Sequence, residues 1–316
     1  MPVATLERIE SFVPQQSVAI ADLADSLGLT PSKLKMFQRM YGLDRTHISP
    51  ETDLFELVLP AARRALATVA DPERVRRVIF AHTIQQVTPA NIDAARVIRD
   101  ELGLRHADAF ALTQQNCASG LAAIDLAAEL LRAEGDTDSR TLVVTGERAF
   151  SPIVQLIRDT AIMGEAAAAC VVAIDGDGDT VDSYATRTLG EFASGVLLDA
   201  EGVQEFGRRY PQVLAGVIRA ALDRARLRLD DIDLVIPHNV NVLSWLGVIK
   251  ELGTEHRDRF FLDNIKHFSH CYASDVFLNY TTLRDAGRLV DGGRYLLTSV
   301  GLGATFAAMT ITHQGR

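Results

Sequence analysis

One cysteine, two histidines and an aspartate in this sequence could carry nucleophilic or acid–base chemistry. Cys117 follows a predicted strand and precedes a helix that begins near Ser119. At such a junction, backbone N–H groups and the helix dipole favour a thiolate. The position equally suits a buried core cysteine, so the spacing alone leaves a nucleophile and a core residue as alternatives.

His238 follows the hydrophobic run DLVIP and so emerges at the carboxyl end of a predicted strand, where open α/β sheets bind ligands. Asp275 lies 37 positions further on, at the start of a predicted helix over Val276–Arg284. There it could cap the helix, stabilising it by about 1 kcal/mol, or orient a histidine as a base. His270 lies close by in HFSHCYASD and could face the sulfur instead. A lone histidine such as His238 is more often a core or rim side chain.

Neither a metal site nor a dinucleotide site is predicted. His267, His270 and Cys271 lie close together, but their spacing matches no common zinc arrangement. No Gly-x-Gly-x-x-Gly follows the strand RVIFAHT or opens another helix.

The elements that position these residues alternate between helical periodicity and short β-branched runs, which predicts an α/β fold. Three pairs of landmarks recur at offsets of 154–156 positions: His82 and His238, Cys117 and Cys271, Gly146 and Gly301. We therefore predict an internal duplication, with one α/β half over residues 1–178 and a second over residues 179–316. The crossover is expected in Ile174–Ser183, with Ala193–Gly207 continuing irregularly.

Composition limits the class of protein. The chain has 316 residues, 47% of them hydrophobic, and a formal net charge of −9, which argues against nucleic acid or an anionic membrane as the main partner. Three cysteines make no disulfide framework in a chain of this length. There is no signal-peptide pattern at the start and no apolar run of about 20 residues. A cytoplasmic protein is expected.

Seven segments carry a resemblance, in the same order along the chain, to the ketoacyl-ACP synthase III family of the thiolase superfamily. They are YGLDRTHIS (41–49), IFAHTIQQVTP (79–89), QQNCASGLAAID (114–125), LVVTGERA (142–149), IMGEAAAACVV (162–172), IPHNVN (236–241) and LLTSVGLGATFAAMTI (296–311). The resemblance implies a thiolase fold, in which two duplicated halves form α-β-α-β-α layers. It also implies a homodimer whose central sheets pair.

The resemblance implies roles for the site residues. Cys117 would carry an acyl group, and His238 would shuttle a proton or polarise a thioester carbonyl. The oxyanion would be held by the backbone N–H of Cys117 and by the turn Gly301-Leu302-Gly303, in which Leu302 replaces the middle glycine of the family.

Substrate binding is implied by fewer matches. Asn241 would bind the cofactor arm or support His238, and Phe37, Arg39 and Arg45 would meet coenzyme A. The family packs an aromatic residue against coenzyme A in this region. Phe37 is the aromatic residue here, and the only tryptophan of the chain, Trp245, lies elsewhere. A carrier-protein thioester is therefore an alternative donor. Neither a metal nor a redox cofactor is expected.

The chain departs from ketoacyl synthases at the third catalytic position. Their asparagine is missing from HFSHCYASD, which resembles members that use Cys, His and Asp to transfer acyl groups to oxygen or nitrogen. We therefore predict an acyltransferase of secondary metabolism that moves an acyl group through Cys117 to a small hydroxyl or amine acceptor. His238 would be the base, oriented by Asp275 or assisted by His270. Decarboxylative condensation is the main alternative, and a non-catalytic ketosynthase partner subunit, which typically loses the nucleophile, is the second.

Overall fold

The computed structural model describes residues 2–157 and 159–315. Its strands are β1 Ala4–Phe12, β2 Ser17–Ala19, β3 Arg45–His47, β4 Val75–Ala81, β5 Asp108–Leu112, β6 Arg140–Gly146, β7 Leu156–Ile157, β8 Ala161–Ile162, β9 Ala167–Ile174, β10 Asp179–Thr188, β11 Leu234–Pro237, β12 Arg294–Gly301 and β13 Thr305–Thr312. Its α-helices are α1 Pro31–Arg39, α2 Leu54–Leu66, α3 Ala94–Glu101, α4 Ser119–Glu134, α5 Pro152–Gln155, α6 Ala200–Ala225, α7 Val242–Leu252, α8 Ile265–Phe268 and α9 Asp275–Asp285.

Nine strands form one sheet in the order β11-β12-β13-β10-β1-β9-β6-β4-β5. The strands β1 and β10 join its two parts through two residue pairs, Thr5 with Thr180 and Leu6 with Asp179. Outward from this junction the two parts repeat the same plan, β1-β9-β6-β4-β5 and β10-β13-β12-β11. Phe260 bridges β11 in parallel, in the place that β5 holds beside β4. The strand order is thus that of a duplicated α/β unit.

The two parts of the sheet enclose a central pair of helices, α4 and α9. Alternate residues of a strand point to opposite faces, so each strand can pack on two layers. In β6, Val143 packs in the core that contains Leu121 of α4 and Phe277 of α9. Its neighbours Leu142 and Val144 pack on the other side, among residues of α2 and α3.

The second part of the sheet behaves in the same way. In β12, Leu297 joins the core of the central helices, whereas Leu296 packs with residues of α6 and α7. The layers are therefore helices, sheet, helices, sheet and helices, which is the five-layer thiolase architecture that the resemblance implied.

The link between the halves lies within the predicted stretch Ile174–Ser183 and is shorter than that stretch. Residues 175–178 connect β9 to β10, so the predicted boundary at 178/179 falls at the start of β10. Part of the stretch Ala193–Gly207, expected to be irregular, is helical, because α6 begins at Ala200. The side chain of Asp199 caps this helix by accepting a hydrogen bond from the N–H of Gly202. Glycines in the first turns of α6 obscure its helical period in the sequence.

One landmark of the predicted duplication is wrong. A 3₁₀ turn over Asn116–Ala118 leads into α4, and a 3₁₀ turn over Tyr272–Ser274 leads into α9. Both turns begin with a left-handed residue, at φ 51° and 52°. Aligned in this way, the counterpart of Cys117 is Ala273 rather than Cys271. The offset becomes 156, which is also the offset of His82 and His238.

Candidate active site

Cys117 lies where the two halves meet, in the 3₁₀ turn that precedes α4. Its side chain is buried, and the hydroxyl of Thr83 approaches its Sγ at 3.8 Å. The first turn of α4 packs directly on the second half. A Cβ at Gly120 would lie 2.9 Å from the carbonyl oxygen of Ala273 and 2.7 Å from the ring of Phe277. Glycine at this position therefore lets the turn that precedes α4 pack closely against the turn that precedes α9.

His270 joins Cys117 to Asp275. Its Nδ1 pairs with the Asp275 carboxylate, and negative charge on Cys117 acts on the same imidazole. Burial lowers the pKa of His270, but the negative charges and hydrogen bonds of Asp275 and Cys117 outweigh that effect and raise the pKa to about 10. At neutral pH the ring is an imidazolium, which stabilises negative charge on the sulfur.

The carboxylate of Asp275 is buried, and both of its oxygens accept hydrogen bonds. It accepts hydrogen bonds from the backbone N–H of Cys271 at 2.7 Å and of Asn239 at 2.6 Å, besides its contact with His270. The prediction that Asp275 caps a helix is wrong, because Asp275 is itself the first residue of α9 and its side chain points to His270. The prediction that it orients His238 is also wrong, since the histidine that it holds is His270.

His238 lies at the carboxyl end of β11, as predicted, with its ring centroid 5.4 Å from that of His270. Its backbone is fixed on both sides, by Thr298 at 2.9 Å and by the indole N–H of Trp245 at 2.9 Å. Burial and the charge of His270 hold the pKa of His238 well below its usual range. The ring is therefore neutral, with Nε2 3.5 Å from the hydroxyl of Tyr210.

The predicted oxyanion turn lies against the backbone of the nucleophile. A side chain at Gly301 would overlap the carbonyl oxygen of Gln115. The amide of Asn116 donates to the carbonyl of Leu302, and the hydroxyl of Ser299 donates to the carbonyl of Cys117 at 2.8 Å. The turn Gly301–Gly303 connects β12 to β13 and is at the same time anchored beside Cys117.

Two of the predicted substrate-binding residues, Phe37 and Asn241, make structural contacts within the fold. Phe37 has no exposed surface and packs edge-on against Tyr41, so its ring cannot meet coenzyme A in this structure. Asn241 caps α7 through the N–H of Ser244 at 2.7 Å and donates to the carbonyl of Thr160 at 2.9 Å. Both predictions of direct substrate contact are corrected accordingly.

The two predicted arginines lie on the surface. Arg45 donates to the hydroxyl of Ser17 at 2.9 Å, whereas Arg39 is exposed at the end of α1. Of the residues considered as metal ligands, His267 is exposed while His270 is buried. Across residues 2–157 and 159–315, no three His, Cys, Asp or Glu side chains are grouped as metal ligands. No helix in those same ranges is both long and apolar enough to cross a bilayer.

Sequence reasoning missed Glu147 and Tyr210. Glu147 has no exposed surface, and its carboxylate accepts from the N–H of Thr83 at 2.7 Å and of Ile84 at 2.6 Å. Burial raises the pKa of Glu147 to about 7, although these hydrogen bonds and the charge of His270 oppose the shift. Glu147 directly follows β6, so the rule that located His238 could have found it. Tyr210 lies within α6, and no pattern in the sequence distinguishes it.

Comparison with known proteins agrees with the fold described above. The family model for the C-terminal part of 3-oxoacyl-[acyl-carrier-protein] synthase III matches residues 222–313. A beta-ketoacyl-[acyl-carrier-protein] synthase III from Clostridium acetobutylicum is 22% identical over 323 residues, covering 95% of this chain and 96% of that protein.

Two solved structures extend the comparison. The acyltransferase ChlB3 superposes with a TM-score of 0.84 at 18% identity, covering 99% of this chain and 98% of that one. OleA from Xanthomonas campestris, solved with lauric acid and lauroyl-CoA bound, superposes with a TM-score of 0.83 at 18% identity, covering 98% and 99%. At these identities the structural likeness establishes the fold.

Proposed function

We propose that the chain is an enzyme of the ketoacyl synthase III-like thiolase superfamily, to which it is similar, and that it is an acyltransferase that carries its acyl group on Cys117. The observation that supports this proposal is the series Cys117, His270 and Asp275, in which the Asp275 carboxylate pairs with Nδ1 of His270 and the charge of Cys117 acts on the same ring. A carboxylate on Nδ1 fixes the imidazole and stabilises its cationic form, which is the arrangement of a nucleophile–histidine–acid triad.

In the first half-reaction, the thiolate of Cys117 attacks the carbonyl carbon of an acyl thioester. The carbonyl electrons move to the oxygen, which the backbone N–H of Cys117 and the Gly301–Gly303 turn would hold. When the intermediate collapses, the acyl–sulfur bond of the donor breaks. The departing thiolate takes the proton of His270, and an acyl-Cys117 with a neutral His270 remains.

In the second half-reaction, an acceptor hydroxyl or amine attacks the acyl carbon of Cys117. Neutral His270 takes the acceptor's proton, the bond from carbon to Sγ breaks, and an ester or amide leaves. The thiolate and the imidazolium are thereby restored together. This assigns the base to His270 instead of His238, because only His270 contacts both Cys117 and a carboxylate.

The donor is an acyl-CoA or an acyl carrier protein thioester, and this route uses no metal or redox cofactor. We also propose a homodimer, since β5 lies at one end of the sheet, where a second copy could pair with it. A monomeric mass by light scattering at micromolar concentration would contradict the dimer. The place of the enzyme in secondary metabolism rests on the Cys-His-Asp resemblance alone.

Decarboxylative condensation is the second candidate, and a specific observation favours it. The rings of His238 and His270 have centroids 5.4 Å apart, and two neighbouring histidines could hold the enolate that forms when malonyl loses carbon dioxide. The Asp275 carboxylate favours acyl transfer, because it supports a base.

The test is the intact mass of the protein after exposure to acetyl, longer acyl and malonyl thioesters, on coenzyme A and on a carrier protein. Cys117→Ala is the negative control, and Cys170→Ala, in the buried strand β9, is the matched cysteine control. We expect an adduct that persists, including intact malonyl, on the wild type and on Cys170→Ala only. Rapid loss of carbon dioxide with a β-keto product would establish condensation, and the lack of any adduct would remove Cys117 as a nucleophile.

A further inference from the structure

Tyr210 places a hydroxyl group in the active site that neither proposed half-reaction uses. It lies on α6, and its side chain is nine-tenths buried, with 8% of its surface exposed. The hydroxyl contacts Nε2 of His238 at 3.5 Å, the long limit of a hydrogen bond. Burial raises the pKa of Tyr210, and negative charge on Cys117 raises it further, so the phenol is protonated.

The hydrogen bonds of His238 orient this hydroxyl. Nδ1 of His238 is buried and has no hydrogen-bond partner in residues 2–157 and 159–315. An orphaned N–H is rarer in protein interiors than an orphaned acceptor, so the favoured tautomer carries its proton on Nε2. That N–H donates to the Tyr210 oxygen. The O–H of Tyr210 is then available as a donor toward the space in front of Cys117.

The surroundings of Tyr210 are apolar. Its ring lies 5.8 Å from Phe206 and 5.8 Å from Phe306, and Phe206 packs edge-on against Phe192 at 5.3 Å. Phe206 is half-buried and Tyr210 keeps some exposed surface, whereas Phe192 and Phe306 are buried. We call the rings of Phe206 and Tyr210 the aromatic wall, against which the two buried rings pack. Tyr210 supplies the hydroxyl group of this wall.

The proposed donors for the oxyanion belong to other elements than Tyr210 does. The Gly301–Gly303 turn is anchored to Gln115 and Asn116, whereas Tyr210 and His238 reach the site from α6 and β11. The Tyr210 hydroxyl is therefore left for the atom that enters or leaves at the acyl carbon. Oxygen and nitrogen are good hydrogen-bond acceptors, and sulfur is a weak one.

We propose that Tyr210 is a catalytic residue for the second half-reaction, whose hydroxyl binds the oxygen of an acceptor that rests its apolar body on the aromatic wall. This rests on the proposed function, since it assumes an acyl-Cys117. It defines the acceptor class as an alcohol attached to an apolar, preferably aromatic, group. During transfer, one lone pair of the alcohol oxygen attacks the acyl carbon, His270 takes the hydroxyl proton, and the Tyr210 O–H donates to the second lone pair, which the oxygen keeps.

The test separates the two half-reactions in Tyr210→Phe, which keeps the ring of the aromatic wall. Acylation of Cys117 is measured by rapid-quench mass spectrometry with an acyl-CoA that labels the wild type. Transfer is then measured from the isolated acyl-enzyme to benzyl alcohol and to benzyl mercaptan, which share a benzyl group and differ in the attacking atom. Tyr184→Phe is the matched control, because it removes another buried tyrosine hydroxyl, from β10.

We expect Tyr210→Phe to acylate within threefold of the wild-type rate, to transfer to benzyl alcohol about 10- to 100-fold more slowly, and to transfer to benzyl mercaptan within threefold. Tyr184→Phe should match the wild type in all three. Equal losses in every step, or no loss with benzyl alcohol, would overturn the inference while leaving acyl-Cys117 intact. If the wild type forms no acyl-Cys117 with any donor, the proposed function is wrong, and this inference is wrong with it.

Discussion

The two strand–helix junctions of the duplicated halves share a backbone and differ in chemistry. Asn116–Ser119 and Tyr272–Asp275 each form a 3₁₀ turn that begins with a left-handed residue and leads into a central helix. The first junction carries Cys117, the proposed nucleophile. The second carries the carboxylate of Asp275, at the position that Ser119 holds in the first. The candidate active site therefore combines one junction of each half, and neither half contains Cys117, His270 and Asp275 together.

The two cysteines near the junctions show how the electrostatic surroundings decide reactivity. Cys117 has the His270 imidazolium beside it, whereas Cys271 donates from its Sγ to the carbonyl of Phe268 at 3.5 Å. Burial raises the pKa of Cys271 well above its usual range, and the carboxylates of Asp275 and Glu165 raise it further. A thiol between carboxylates remains a core residue.

The largest expected effect compares these cysteines. Cys117→Ala should abolish the acyl adduct, and Cys271→Ala should keep it, because only Cys117 has a cation to stabilise its thiolate. Intact mass spectrometry after exposure to an acyl thioester measures both. An adduct that disappears in Cys271→Ala while the protein remains folded would refute this comparison.

The next effect compares the residues that begin the two helices. Asp275→Asn should lower turnover about 10³- to 10⁴-fold, since an amide cannot stabilise the imidazolium of His270. Ser119→Ala is the matched variant, because the Ser119 hydroxyl is buried without a hydrogen-bond partner in the described ranges, and it should act within threefold of the wild type. Thermal unfolding of each variant shows whether it is folded. A folded Asp275→Asn with full turnover would reduce Asp275 to a structural role.

A smaller effect tests the close packing of the junctions. Gly120→Ala should lower the free energy of unfolding by about 1–3 kcal/mol, because its Cβ would lie within 3.0 Å of Phe277 and Ala273. Gly216→Ala in α6 is the control. Its Cβ would meet no atom within 4 Å, so helix propensity should stabilise that variant by about 0.5–1 kcal/mol. Denaturant titration measures both, and equal changes would mean that the junctions can separate without cost.

The smallest effect is a difference in titration between the two histidines. His270 should keep its proton until the pH rises through about 10, and His238 should stay neutral until the pH falls well below 6.5. Nitrogen-15 NMR of labelled histidine follows both rings. Cys117→Ala should lower the pKa of His270, because negative charge on the sulfur helps to raise it. Titration of both rings near pH 6.5 would contradict this account of the site.

The sequence predicted the duplicated α/β plan and the position of Cys117, because both depend on local periodicity and on where a strand ends. It did not predict which histidine Asp275 holds. Asp275 and His270 meet through the turn Tyr272–Ser274, which begins with a left-handed residue. No pattern of hydrophobic spacing in the sequence indicates such a turn. A role for Tyr210 was not predicted for a similar reason, since a tyrosine on an apolar helix face resembles any core residue.

The indole N–H of Trp245 that holds the backbone of His238 has a practical consequence. Trp245 is the only tryptophan in the chain, and its ring packs edge-on against His238 with centroids 5.3 Å apart. Tryptophan emission from this protein thus originates from a single fluorophore beside the candidate active site. We expect the proposed acyl loading and acceptor binding to change this emission, so that intrinsic fluorescence would follow them in real time without an attached dye.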